Sequence, residues 1–202
     1  MARTAVLGGS FNPIHYGHLL LADDVLDALG LDRVLFVPAA LPPHKPSSQL
    51  APADDRYAMV QLAVAGHPKF VVSDLELRRA GPSYTVDTLE ALCIPREELF
   101  LIVGSETFLD MLTWRTPRRV ARLAQIVVVP RVGSAFDPDS AAVRKVVHEI
   151  GQEPLVVRAI SLPISASDLR HRVRERRSLA YRVPEAVDAY IQAKRLYRDE
   201  GS

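Results

Sequence analysis

The stretch TAVLGGSFNPIHYGHLLLADDVLDALG, Thr4 to Gly30, decides the fold. Residues 5–7 are apolar and Thr4 and Val6 are β-branched, which reads as a buried strand over 4–7. From His18 the period changes: Leu19, Ala22, Val25, Leu26 and Leu29 recur at helical spacing, predicting a helix over 18–29, and Gly30 follows as a left-handed stop. Between the two, Gly8 and Gly9 lead the chain out of the strand, and it enters the helix at about Gly17. A strand, a glycine turn and a helix in that order open a parallel α/β sheet, whose ligands sit outside the carboxyl ends of the strands.

The same alternation continues downstream. Further strands are predicted at 33–37, 70–73, 99–103, 125–129 and 155–158, and further helices at 54–65, 85–92, 117–123, 139–150, 167–176 and 184–197. This order predicts an α/β fold with a doubly wound parallel sheet, one domain over 1–202, and a small helical C-terminal part from about residue 163. A chain of 202 residues, 48% of them hydrophobic, is long enough to bury such a core. Residues 38–52 hold five prolines and no periodicity, so a functional lid or binding loop is expected there.

Composition narrows the function. The 25 Lys and Arg nearly balance the 24 Asp and Glu, leaving a net charge of +1 and no global field for gripping nucleic acid or an anionic membrane. Any anion site must therefore be local. The N-terminus lacks the apolar core of a signal peptide, and no stretch approaches the ~20 apolar residues that span a bilayer, so a soluble cytoplasmic protein is expected. The single cysteine, Cys93, excludes an internal disulfide or a multi-thiolate metal site, and is expected to be a small buried hydrophobe. Arginine outnumbers lysine 21 to 4 and Asn12 is the one asparagine, a bias that fits the codon usage of a GC-rich genome better than heat adaptation.

Two stretches carry chemistry. GGSFNPIHYGH, Gly8 to His18, contains neither GxGxxG nor GxxxxGK[ST]; a pair of imidazoles stands where a Walker loop has its lysine. His15 and His18, three apart around Gly17, can both point to one spot at the helix mouth, where N–H donors and the helix dipole suit phosphoryl oxygens. A metal would need a third and fourth ligand, which Cys93, His44, His67, His148 and His171 do not supply at helix spacing. A structural alternative stays open, in which one histidine caps the turn and the other is packed. Downstream, in PISASDLR, Pro163 to Arg170, Ser165 or Ser167 can cap a helix. Arg170 falls in its first turn, where a cation opposes the dipole and a bound polyanion would justify it. His171, Arg172, Arg174, Arg176 and Arg177 read as a solvated face.

GGSFNPIHYGH followed by ISASDLR resembles the paired signatures of the HxGH nucleotidyltransferases, which have a Rossmann-like fold. Within that superfamily the chain is similar, over about 190 residues, to the bacterial nicotinate-nucleotide adenylyltransferases. The matching pieces are PPHKP at 42–46, PSYTVDTL at 82–89, GSETFLDMLTW at 104–114, VVVPR at 127–131 and YRVPEAVDAYIQAKRLY at 181–197. The resemblance implies adenylyl transfer from ATP to nicotinate mononucleotide, giving deamido-NAD and pyrophosphate, with Mg²⁺ held mainly by the ATP phosphates. It further implies catalytic roles for His15, His18, Lys45 and Arg170, and nucleotide contacts from Gly8, Gly9, Ser10, Phe11, Gly104, Glu106, Ile164, Ser165 and Ser167. On the acceptor side it implies Trp114 stacked on the pyridine ring, Thr85 and the backbone of Arg115 at the nicotinate carboxylate, and Lys45 nearby. Asn12 stands where many members carry Asp, Ala166 where Ser is common, and Glu106 where Asp is usual. Two rivals are a superfamily member with another acceptor, such as a pantetheine-phosphate adenylyltransferase, and a nucleotide sensor without turnover. Whether the chain forms a homo-oligomer is open at this level.

Overall fold

Parallel strands covered on both faces need side chains that are apolar in both directions, and the strands here are built that way. The computed structural model describes residues 2–43, 46–130, 136–160 and 162–198. Six strands form one parallel sheet: β1 (Thr4–Gly9), β2 (Arg33–Pro38), β3 (Phe70–Val72), β4 (Leu99–Gly104), β5 (Gln125–Val129) and β6 (Leu155–Val156), in the spatial order β3-β2-β1-β4-β5-β6. The order reverses between β1 and β4, so the crevice beyond their carboxyl ends is the topological switch point where open α/β sheets bind ligands.

Alternation along each strand divides the core in two. Ala5, Leu7, Val34, Phe36, Phe100, Ile102, Val127 and Val129 face one layer of helices. Val6, Leu35, Val37, Leu99, Leu101, Val103, Ile126 and Val128 face the other. The first layer comprises α1 (Tyr16–Ala28), α2 (Ala53–Val64), α7 (Ala166–Arg174) and α8 (Glu185–Ala193), through residues such as Val25, Met59, Leu169 and Val187. The second comprises α3 (Thr85–Leu92), α4 (Ser105–Leu109), α5 (Pro117–Leu123) and α6 (Ala141–Ile150). Because α7 and α8 share a core with α1 and α2, the last part of the chain is carried back to the exit of β1.

Helix ends differ from expectation in instructive ways. Gly30, at φ 58°, does stop α1: its amide donates to the Asp27 carbonyl and that of Leu31 to Leu26. The helices expected at 167–176 and 184–197 stop at Arg174 and Ala193, closed by the same left-handed device with Arg176 (φ 55°) and Arg195 (φ 53°) in the place glycine favours. Helix α4 was not expected, being only five residues long. Cys93 is exposed, not buried: it ends α3 in the left-handed region at φ 52°, with Sγ turned to the Glu90 carbonyl.

Candidate active site

The turn after β1 is shaped by its own side chains. Phe11 sits at φ 42°, a strained value for an aromatic residue, and its ring is buried against Phe36 with its edge towards His18 at 5.2 Å. Phe11 therefore spends its side chain on the core and has only backbone to offer a nucleotide. Gly8 is exposed with open space above its Cα, while Gly9 lies under the Phe11 ring.

The two histidines of the turn lie together. Their rings stack at 3.8 Å between centroids and 28° between planes. The His15 amide donates to His18 Nδ1 at 3.3 Å, so in the neutral ring the His18 proton is assigned to Nε2, which becomes a donor. His15 is the N-cap residue of α1 and is buried; His18, three residues on, is half-buried at the helix mouth. The structural reading left open by the sequence is thus partly right, since the pair does organise the helix start, but this also fixes the orientation of a donor. Gly17 is needed for this arrangement: a Cβ there would lie 3.0 Å from His15 Nδ1 and 3.1 Å from Cε1.

Helix α7 brings its arginine to the same turn. Arg170 Nη1 donates to the Asn12 carbonyl at 2.9 Å and Nη2 to Ser167 Oγ at 3.2 Å. Of the two serines, Ser165 is the cap, its Oγ accepting from the Asp168 amide at 3.1 Å. Ile164 packs on the core, with its amide bonded to the Leu162 carbonyl. Desolvation lowers the Arg170 pKa, yet the guanidinium remains a cation, and among the described residues no carboxylate pairs with it. His171, Arg174, Arg176 and Arg177 are exposed, as a solvated face should be, and Arg172 is half-buried with its Nε on the Ser178 carbonyl.

Asn12 locks the loop that follows β2. It is 2% exposed, donating from Nδ2 to the Gln49 carbonyl and accepting at Oδ1 from the Ala51 amide. An aspartate could keep only the second of these bonds, so the departure at this position has a local physical reason. The sequence reading missed Arg56. This residue of α2 is 1% exposed, with Nε on the Ala51 carbonyl, Nη1 on those of Ser10 and Ala39, and Nη2 on that of Ala40. Burial lowers its pKa while the nearby Tyr197 and Glu76 oppose that shift. The signal was legible: Arg56 lies on the buried stripe of α2 with Met59, Val60 and Val64, a charge on an apolar face. Both ends of segment 38–52 are thereby tied down. Lys45, expected to join the phosphate donors, lies outside the described residues.

The residues expected at the acceptor, Thr85, Trp114 and Arg115, form a second group, reached through Gly104 and Glu106, which are expected at the nucleotide. Gly104 is the last residue of β4, beside β1 at the switch point, and Glu106 is exposed in the first turn of α4. The chain then reaches Trp114, half-buried on the same apolar cluster as Tyr84. Thr85 is the first residue of α3, whose N-terminal amides have no side-chain cap. Arg115 ties these parts together, meeting Asp87 at 3.2 Å and lying over the Tyr84 ring at 4.9 Å. An uncapped helix N-terminus beside an aromatic surface suits a flat, carboxylated ring. Among the described residues no group of three or more His, Cys, Asp or Glu could hold a metal, and no helix is long and apolar enough to cross a membrane.

A cytidylyltransferase-like family profile matches residues 6–172. The probable nicotinate-nucleotide adenylyltransferase of Geotalea uraniireducens is 43% identical over 213 residues, spanning 98% of this chain and 99% of that protein. Its counterpart in Thermus thermophilus is 45% identical over 201 residues, spanning 97% and 100%. Among solved structures, Plasmodium falciparum nicotinic acid mononucleotide adenylyltransferase complexed with NaAD matches with a TM-score of 0.77 at 17% identity, over 98% of each chain, a likeness of fold.

Proposed function

The chain belongs to the cytidylyltransferase-like family and, within it, to the nicotinate-nucleotide adenylyltransferases, and we propose that it transfers the adenylyl group of ATP to nicotinate mononucleotide, forming deamido-NAD and releasing pyrophosphate. The acceptor phosphate oxygen attacks the α-phosphorus in line, and the bond from that phosphorus to the bridging oxygen of the β-phosphate breaks. No covalent enzyme intermediate forms. Negative charge moves onto the departing pyrophosphate, so positioned cationic and N–H donors supply the rate enhancement.

In this reading His15 and His18, the latter with its proton on Nε2, hold the triphosphate at the mouth of α1, and Arg170 and Lys45 add positive charge. Gly8, Gly9, Ser10 and the backbone of Phe11 line the nucleotide, as do Gly104, Glu106, Ile164, Ser165 and Ser167. Trp114 carries the pyridine ring while Thr85 and the Arg115 backbone meet its carboxylate. The observation that supports it most is the 2.9 Å bond from Arg170 to the Asn12 carbonyl, because it brings a cation from far along the sequence onto the turn that follows β1. Mg²⁺, which prefers phosphate oxygens and water to a protein cage, would neutralise triphosphate charge when bound with ATP; the donor set of the site, histidines and an arginine rather than carboxylates, fits a metal that rides on its nucleotide. We take residues 1–202 to act as one domain, supported by the core shared between the C-terminal helices and α1 and α2. A cytoplasmic location goes with the ATP substrate and the single reduced cysteine.

The test is pyrophosphate release from ATP and Mg²⁺ with nicotinate mononucleotide, nicotinamide mononucleotide or phosphopantetheine as acceptor. Release fastest with nicotinate mononucleotide is expected. Release with phosphopantetheine alone, or with none of them, would discard the proposal.

A further inference from the structure

Helix α3 begins at Thr85 with no side chain to cap its first amides, so its position must be set from beneath. One turn on, Thr88 is 2% exposed and meets two charged residues at once. Its Oγ1 lies 2.5 Å from Glu76 Oε1 and 3.3 Å from the Tyr84 carbonyl, so the single hydroxyl proton is assigned to the carboxylate. The same oxygen accepts from Arg79 Nη2 at 3.1 Å. Glu76 and Arg79 both come from the connection between β3 and α3. There the Arg79 amide donates to the Glu76 carbonyl at 3.3 Å, a turn that carries both side chains to one hydroxyl.

This arrangement has a cost. Glu76 is 7% exposed, and its Oε2 and Arg79 Nη1 are buried without a hydrogen-bond partner among the described residues. Buried atoms of charged groups left unpaired destabilise a fold, and apolar side chains of the same shape would avoid the loss. What the arrangement gains falls at the start of α3. Thr88 lies three residues after Thr85, on the same face of the helix, and its own amide donates to the Tyr84 carbonyl at 3.2 Å. Arg115, more exposed, holds the same turn through Asp87 and the Tyr84 ring.

We propose that Glu76 and Arg79 are positioning residues for the acceptor, gripping the Thr88 hydroxyl so that the Thr85 side chain and the uncapped amides of α3 are fixed before the nicotinate carboxylate arrives. Neither touches substrate; both act through Thr88. The inference rests on the assignment of Thr85 to the nicotinate carboxylate, and it extends the acceptor machinery to the connection after β3.

Substitutions along this chain of contacts test it. Wild type, Thr88→Val, Thr88→Ser, Glu76→Gln and the double variant Glu76→Gln/Thr88→Val are compared for kcat and for the KM of the acceptor. Binding of α,β-methylene-ATP is measured by calorimetry, and thermal midpoints are read alongside so that each constant refers to folded protein. Thr88→Val is expected to raise the acceptor KM about tenfold while affinity for the ATP analogue stays within about twofold. Thr88→Ser keeps the hydroxyl and should bring the acceptor KM back to within about threefold of wild type. Glu76→Gln exchanges a charged partner for a neutral one and should raise the acceptor KM about fivefold, but add less than about twofold in the Thr88→Val background. Equal losses for acceptor and ATP analogue, no rescue by serine, a full additive loss in the double variant, or an unchanged acceptor KM would each overturn the proposal. Should Thr88→Val fail to fold, Glu76→Gln decides alone by the same split between acceptor and ATP. The wild type is assayed with nicotinate mononucleotide, nicotinamide mononucleotide and phosphopantetheine, and the variants are scored on the acceptor it uses. Turnover with another acceptor alone removes the nicotinate reading and leaves the grip on α3 to be decided by that split; turnover with none removes both.

Discussion

Arg170 and Asn12, 158 positions apart, are joined by a 2.9 Å hydrogen bond from a guanidinium to a main-chain carbonyl. Asn12 in turn holds Gln49 and Ala51 with its side chain, so the late helix, the first turn and the proline-rich loop meet at one residue. Arg170 lies just past the first turn of α7, which begins at Ala166, nearer the positive than the negative end of the helix dipole. The bond to Asn12 holds the guanidinium against the turn that follows β1.

Replacing His18 by alanine removes the donor that the His15 amide orients. Turnover should fall about 100-fold or more while circular dichroism and thermal midpoint stay close to wild type. A folded variant with near-normal rate would take His18 out of the mechanism.

At Gly17 stability and activity should separate. Alanine is the better helix former by up to about 1 kcal/mol, yet its Cβ would lie 3.0 Å from the His15 ring and force it to move. Gly17→Ala is expected to keep or raise the unfolding midpoint and to lose at least about tenfold in kcat/KM. Full activity would show that the stacked pair does not need its present geometry.

Arg56→Leu leaves the carbonyls of Ser10, Ala39, Ala40 and Ala51 without their donor. Destabilisation by at least about 2 kcal/mol is expected, measurable by urea unfolding, with greater protease sensitivity in segment 38–52. A loss under about 0.5 kcal/mol would mean that water replaces the guanidinium at no cost.

For Trp114→Ala the KM for nicotinate mononucleotide should rise about tenfold or more, as expected for a lost aromatic stack, while affinity for ATP changes little. Equal losses for both ligands would mark Trp114 as a core residue, given that it packs on the cluster that includes Tyr84.

What the sequence made legible follows from how locally each feature is determined. The apolar runs of β4 and β5 are visible because strands buried on two faces must be apolar throughout, and Gly30 is visible because glycine is cheap at positive φ. The left-handed stops at Arg176 and Arg195 carry no such mark; tertiary packing imposes them on residues that do not favour them. Cys93 followed the same logic, its composition suggesting burial and its helix-end position delivering exposure. At the site, the motifs pointed to His15, His18 and Arg170, but the role of Gly17 as a seat for the His15 ring and the carbonyl cluster around Arg56 depend on contacts between distant segments. Those contacts leave only a faint trace, a charged residue on an apolar stripe.

The shared core of the first and last helices also sets an order of events during translation. Residues 8–18 emerge from the ribosome early, but α7 and α8, which close the ring around them, come from the final fifth of the chain. A nascent polypeptide can pair β1 with β2 long before it can present Arg170 to the opening turn. On the proposed reading, competence to hold a polyphosphate waits for residues 166–174, and a product terminated before them would retain most of the sheet without that capacity.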